Sequence, residues 1–183
     1  MLVTKEGVKE LIESVVIAGV LAFFIITFVV QSFVVQGHSM DPTLNSGERL
    51  FVNKFIYNFR EPDRGEIIVL EPKQNPNHRY IKRIIGLPGD QIKIDSGELI
   101  INGTKINEDY LPEEMRGSYG PYQVPDQHVF ALGDNRNHSS DSRMESLVGY
   151  VSYDAIDGKA FWVYWPLNRI RLLENTSYPE LEQ

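Results

Sequence analysis

The stretch QIKIDSGELIINGTKIN, residues 91–107, decides the fold. Residues 91–95 form a short isoleucine-containing run that stops at Asp95-Ser96-Gly97. Residues 98–101 form a second run, which stops at Asn102-Gly103. Tight two-residue hairpins need positive φ at both central positions, and Asn-Gly is the pair that tolerates it best. The chain therefore turns back at 95–97 and again at 102–103, giving antiparallel strands over 91–95, 98–101 and 105–107. Outward from this meander the same grammar repeats. The runs 49–54 (RLFVNK), 66–70 (EIIVL), 80–86 (YIKRIIG), 128–132, 147–153 and 159–164 are rich in Ile, Val and aromatics. They are separated by Pro, Gly, Asp and Asn. Residues 108–126 hold Pro112, Pro121 and Pro125 with little apolar pattern and read as a loop. The tail after Leu173 reads as frayed. About nine short strands and no internal repeat predict a mainly β domain of coiled or barrel-like antiparallel sheets.

Upstream the pattern changes. From Ser14 to Gly37 there are 24 residues without a charge. As a helix they would span about 36 Å at 1.5 Å per residue, enough for a hydrocarbon core of roughly 30 Å. A cleaved leader would have a shorter apolar region and a basic start, and a helix buried in a soluble protein would have a polar face. The expected organisation is a short cytoplasmic N-terminus at 1–13, a transmembrane helix at 14–36 and an extracytoplasmic β-rich domain at 37–183, with 174–183 frayed. Lys5 and Lys9 lie close to the apolar run, whereas Arg49 and Lys54 are further off on the other side, which favours N-in, C-out.

The 183 residues carry 25 acidic and 18 basic side chains, a net charge of −7, so no electrostatic grip on nucleic acid is expected. There is no cysteine, which removes disulfides, thiolate catalysis and zinc–thiolate sites together.

Three stretches carry chemistry. Residues 36–43 (QGHSMDPT) begin where the apolar run ends and place Ser39 in a Gly- and Pro-punctuated segment. A serine is a weak nucleophile until a base activates it. Residues 80–85 (YIKRII) put a cation on each face of one strand, Lys82 with Tyr80 and Ile84, Arg83 with Ile81 and Ile85. One reading is two snorkelling cations on an edge strand. The other is a desolvated Lys82, whose neutral amine accepts the Ser39 proton without any histidine. Residues 133–143 (GDNRNHSSDSR) follow a strand and crowd hydroxyls, carboxylates and arginines into one loop. A hydroxyl there would orient the amine, with Asp141 and Arg143 pairing to stiffen the loop.

Together these stretches resemble the type I signal peptidases, membrane-bound serine proteases that cut leader sequences from exported proteins. Ser39-Met40-Asp41-Pro42-Thr43 is similar to the family's Ser-Met-x-Pro-Thr box, and residues 47–54 to the segment after it. Tyr80-Ile81-Lys82-Arg83 with Gly86-Leu87-Pro88-Gly89-Asp90 resembles its lysine box. Residues 133–143 resemble its Gly-Asp-Asn-Arg…Ser-x-Asp-Ser-Arg box. The order of boxes and the preceding anchor agree, so the resemblance covers nearly the whole chain. It implies Ser39 as nucleophile, Lys82 as general base and Ser139 as the residue that orients Lys82. It implies substrate pockets for small side chains lined by Val35, Met40, Leu44, Tyr80 and Ile81, and no metal or cofactor. The implied partners are signal peptides of secreted preproteins, membrane lipid and, by proximity, the secretion machinery. The implied location is a bacterial cell membrane. Two features depart from the best-studied Gram-negative members. Gly37 stands where those carry an oxyanion-binding serine hydroxyl, and the lysine and Gly-Asp boxes lie close together, as in the compact single-anchor Gram-positive form.

Rival readings are a Ser/His/Asp triad through His138 or His128, a cytosolic Ser/Lys self-cleaving repressor, and a non-catalytic anchored subunit that binds leaders. His38 is adjacent to Ser39 in sequence and would point elsewhere in an extended chain.

Overall fold

A computed structural model describes residues 5–24 and 29–181. Helix α1 spans Lys5–Phe24, and twelve strands follow: β1 (Val30–Val34), β2 (Arg49–Asn53), β3 (Ile67–Leu70), β4 (Tyr80–Gly86), β5 (Gln91–Asp95), β6 (Glu98–Ile101), β7 (Thr104–Lys105), β8 (Tyr119–Gln123), β9 (His128–Leu132), β10 (Val151–Ser152), β11 (Ile156–Trp165) and β12 (Arg171–Leu172). The larger sheet runs β1-β2-β11-β3-β4-β9-β10 with β12 also on β11; the smaller runs β7-β6-β5-β8. Every described pairing is antiparallel. Register shifts in β11, β4 and β5 add local twist, which curls such sheets.

The hairpin of 91–95 and 98–101 lies where the sequence puts it, with Asp95 opposite Glu98; the third strand is Thr104–Lys105 rather than 105–107, because pairing resumes directly after the turn, with Thr104 opposite Ile101. Asn102 and Gly103 take φ of 53° and 83°, the left-handed pair that a tight turn requires. Alternation along β3 sends Ile67 and Val69 into one core with Val35, Met40 and Leu50, and Ile68 and Leu70 into another with Ile84, Val129 and Ala131. A third core fills the space between the sheets around Ile92, Ile94, Leu99, Ile101 and Phe130.

Five further expectations change. The helix does not run to residue 36: Val30–Val34 is a strand in full register with β2, and Phe33 packs on the core. Residues 25–28 lie outside the described set, and among the described residues no helix is long and apolar enough to cross a membrane. Residues 108–126 are not all loop, because β8 joins β5 there. Pro121, which has no N–H, is tolerated because β8 is the sheet's outer strand. Of 147–153 only Val151–Ser152 is strand; Val148 and Gly149 both donate to the Met144 carbonyl and form a turn first. The tail is not frayed. Thr176 N donates to Gly65 O, Tyr178 is buried, and Leu181 packs on the inter-sheet core. Finally, β4 is no edge strand; it lies between β3 and β9, so its two cations are enclosed.

Candidate active site

β4 delivers Lys82 to the site. Its ends are fixed by the ladders to Ile68 and Ala131, the partners of Lys82 and Ile84. Lys82 is only 2% exposed. Its Nζ lies 2.8 Å from Ser39 Oγ and donates to the Ile81 carbonyl at 3.0 Å. Burial pushes its pKa from the ordinary lysine range down to about 8, against upward pulls from Asp141 and Asp134. A substantial fraction of the amine is then neutral near pH 8. No carboxylate bonds to it among the described residues.

Ser39 is half-buried in a turn between β1 and β2. Asp41 N donates to His38 O, and Leu44 N to Met40 O. The Ser39 carbonyl accepts from Asn135 N at 3.0 Å, and Asn135 Nδ2 donates to His38 O at 3.0 Å. Thr43 Oγ1 donates to Asp134, which also accepts a two-pronged bond from Arg83 at 2.9 and 2.8 Å. The Ser39 turn, the lysine strand and the loop after β9 are thus tied by one buried carboxylate. The turn's far end is clamped too: Glu48 is buried and gripped by Arg171, which also donates to Thr43 O.

The loop after β9 packs against the pair. Asp141 is fully buried, pairs with Arg143 at 2.8 Å and accepts from Gly133 N at 3.2 Å. A Cβ on Gly133 would sit 2.2 Å from Ser139 Oγ and 2.3 Å from Ser39 O, so only glycine permits this approach. Ser139 Oγ is buried with no hydrogen-bond partner, so the expected bond to Lys82 is not made.

A groove of about 450 Å³ opens above Ser39. Residues 33–40 line one side and 77–82 the other, with His138 and Ser140 also contributing. Val35, Met40, Tyr80 and Ile81 all line it. Leu44 does not. It is fully buried in the core beside Leu50 and Val52, because the turn from Met40 to Leu44 points it inward. Gly37 has φ +87°, and the space where its Cβ would be is open.

Among the described residues no histidine bonds Ser39, although His78 and His138 line the groove. His38 Nδ1 bonds Asp41 at 2.9 Å, His138 lies beside Asn135 and Glu113, and His128 Nδ1 contacts Asp126 O. Sequence reading missed Asp134, Asn135, Glu48 and Arg171 as supports. Asp134 and Asn135 stood inside a loop already singled out. Glu48 and Arg171 lie 123 residues apart, and no local pattern pairs them.

Chemically, a hydroxyl against a buried amine in an open groove with mixed polar and apolar walls can hand its proton to that amine and attack a bound carbonyl, the equipment of a serine hydrolase with a lysine base. The family model described as signal peptidase, peptidase S26, matches residues 8–165, and the chain belongs to that family. Signal peptidase I P of Bacillus subtilis subsp. natto is 40% identical over 177 residues, 91% of this chain and 94% of the relative. Signal peptidase I of Leptolyngbya laminosa is 41% identical over 172 residues, 90% of this chain and 81% of the relative. Signal peptidase I S of Bacillus subtilis strain 168 is 39% identical over 178 residues, 91% and 94% of the two chains.

Proposed function

We propose that this chain is a signal peptidase I, a serine endopeptidase that removes N-terminal signal peptides from exported preproteins, with Ser39 as nucleophile and Lys82 as general base. Family membership supports the activity. The observation that carries the mechanism is the 2.8 Å contact between a serine hydroxyl and a lysine whose ammonium burial has made a stronger acid, leaving the amine partly neutral near pH 8. Neutral Lys82 takes the Ser39 proton as Oγ adds to the scissile carbonyl. The Ser39 backbone N–H is the oxyanion donor that this turn offers, since Gly37 supplies no hydroxyl. The ammonium then protonates the leaving amine, and the amine, neutral again, activates water to clear the acyl-enzyme.

Ser139 is assigned to steering the Lys82 amine; its buried, unpartnered hydroxyl beside the Ser39 carbonyl supports that role. Asp141 and Arg143 hold its loop. The groove walls at Val35, Met40, Tyr80 and Ile81 suit small side chains before the cut.

The apolar residues that precede β1 within the span expected over 14–36 form the anchor. Val15, Val16, Ile17, Val20, Leu21 and Phe23 are all more than half exposed, and lipid is the cover that suits them. Residues 1–13 lie on the cytoplasmic side and 37–183 on the extracytoplasmic face of a bacterial cell membrane, near the secretion machinery. β1 follows the anchor directly and walls the groove, which keeps Ser39 close to the depth at which a leader leaves the bilayer.

The test is cleavage of a preprotein in detergent by wild type, Ser39→Ala and Lys82→Ala. Both variants should be folded and inactive; processing that persists in either would remove that residue from the mechanism.

A further inference from the structure

Outside the groove, a second buried cluster of charge remains that the mechanism does not use. Its centre is Arg136, whose side chain is completely enclosed. Two of its nitrogens bond the two oxygens of Glu108 at 2.5 and 2.8 Å. One of these also donates to Tyr110 Oη at 2.8 Å, and Tyr110 in turn donates to Glu108 at 2.7 Å. Tyr178 of the C-terminal tail lies 3.1 Å from the same phenol. The remaining donor, Nε, bonds the Gly133 carbonyl at 3.0 Å.

That last bond matters because of what rests on Gly133. Its N–H is held by Asp141 and its carbonyl by Arg136, so the peptide is gripped on both sides. Its Cα has Ser139 Oγ and Ser39 O packed against it, with no room for a methyl group. The Tyr110 ring also lies 5.0 Å under the Arg83 guanidinium, the immediate neighbour of Lys82 and the partner of Asp134. Glu108 and Tyr110, which do not line the groove, therefore reach the reacting pair along two short paths.

We propose that Glu108 and Tyr110 are positioning residues for the Ser39–Lys82 pair, acting through Arg136 on Gly133 and through Arg83 on the lysine strand. The inference rests on the dyad reading. A buried bidentate carboxylate–guanidinium pair fixes direction as well as distance, so it sets where the Gly133 peptide lies. When Glu108 loses its charge, Arg136 is left enclosed without an anion and must move towards solvent, drawing the Gly133 carbonyl with it. Ser139 and the Ser39 carbonyl then lose the surface they pack on, and water gains access to Lys82. The charged groups that act on Lys82 are Asp141, Asp134 and Arg143. Glu108 is not among them, so its effect travels through geometry.

The test uses the full chain in detergent, with Glu108→Gln and Tyr110→Phe each measured for kcat and KM on a preprotein across pH, beside a thermal melt. Tyr110→Phe keeps the ring over Arg83 and removes only the hydroxyl, so it reports even where Glu108→Gln fails to fold. The expected result is kcat lowered about tenfold for Glu108→Gln and about threefold for Tyr110→Phe at unchanged KM. The rising limb of the pH profile should move towards alkaline pH in both, because a better-hydrated lysine holds its proton longer. A folded variant with wild-type kcat and an unmoved limb overturns the proposal. So does a fall in kcat that only tracks the folded fraction while the limb stays in place. Ser39→Ala and Lys82→Ala run alongside; cleavage by either would overturn the dyad reading itself, and this inference with it.

Discussion

Lys82 and Arg83 are neighbours on one strand, equally buried at 2% exposure, and the structure treats them in opposite ways. Arg83 faces Asp134, which meets its fork with both oxygens, and the Gly65 carbonyl at 2.8 Å takes a third donor. Burial disfavours its charge, but the bond to Asp134, the charge of Asp134 and the nearby Tyr110 and Tyr178 together outweigh that and raise its pKa. Lys82 faces a serine hydroxyl and one backbone carbonyl, and burial lowers its pKa to about 8. The difference lies in the partners, not in the depth. A buried cation given a complete set of acceptors suits a scaffold, and one denied a carboxylate suits the base proposed for Lys82.

The comparison is broken most severely by removing the base. Lys82→Met should lower kcat by roughly three to four orders of magnitude, within the range of a lost general base acting with its nucleophile. Its effect on stability should have the other sign. Below pH 8 the amine is charged in both folded and unfolded chains, so the fold carries a penalty on the order of 3 kcal/mol. Between about 8 and the ordinary lysine value near 10.4 the folded amine is already neutral while the unfolded one still binds a proton, so wild-type stability rises with pH. The variant should melt higher than wild type at pH 7, and the gap should close by about pH 10. Thermal melts of both proteins over that range decide it, and a variant clearly less stable at pH 7 would mean a charged, paired lysine.

Arg83→Met is the mirror experiment. It strands Asp134 in the core, and loss of one partner of a buried pair costs about 3–5 kcal/mol. Denaturant unfolding at neutral pH should show that loss, against the gain for Lys82→Met one residue away.

Much of this was legible in the chain. The strand 80–86, the hairpin over 91–101 and the three polar boxes announce themselves through local pattern, and alternation alone placed the two cations on opposite faces. What was not legible depends on contacts distant in sequence. Residues 30–34 are as apolar as the helix before them, and only the facing edge of β2 makes them a strand. β8 hides behind Gly120 and Pro121, which an outer strand tolerates. Leu44 reads as a groove residue until the turn at Met40 directs it inward. Arg136 stands inside a loop already singled out, but Glu108 has no local signal, and nothing nearby in sequence pairs the two.

A smaller effect is expected at Gly133. Gly133→Ala drives a methyl into Ser139 Oγ and the Ser39 carbonyl, one of them backbone that yields little. Overpacking of this kind costs about 1–3 kcal/mol, and kcat should fall by more than tenfold because the reacting pair moves. Steady-state kinetics beside a melt separates the two. The smallest effect belongs to the histidines: His138→Ala and His128→Ala should retain cleavage within about twofold, since neither reaches Ser39. A folded His138→Ala protein as inactive as Ser39→Ala would restore the histidine triad.

The most direct measurement is the titration of the Lys82 amine itself. In the full chain, solubilised in detergent and labelled with 13C at lysine Cε, the Lys82 resonance can be assigned by its absence from Lys82→Met and followed with pH. It should titrate with a midpoint near 8, apart from the other lysines. A midpoint above about 10, among the ordinary lysines, would show that Lys82 stays charged at working pH and would contradict its role as the base.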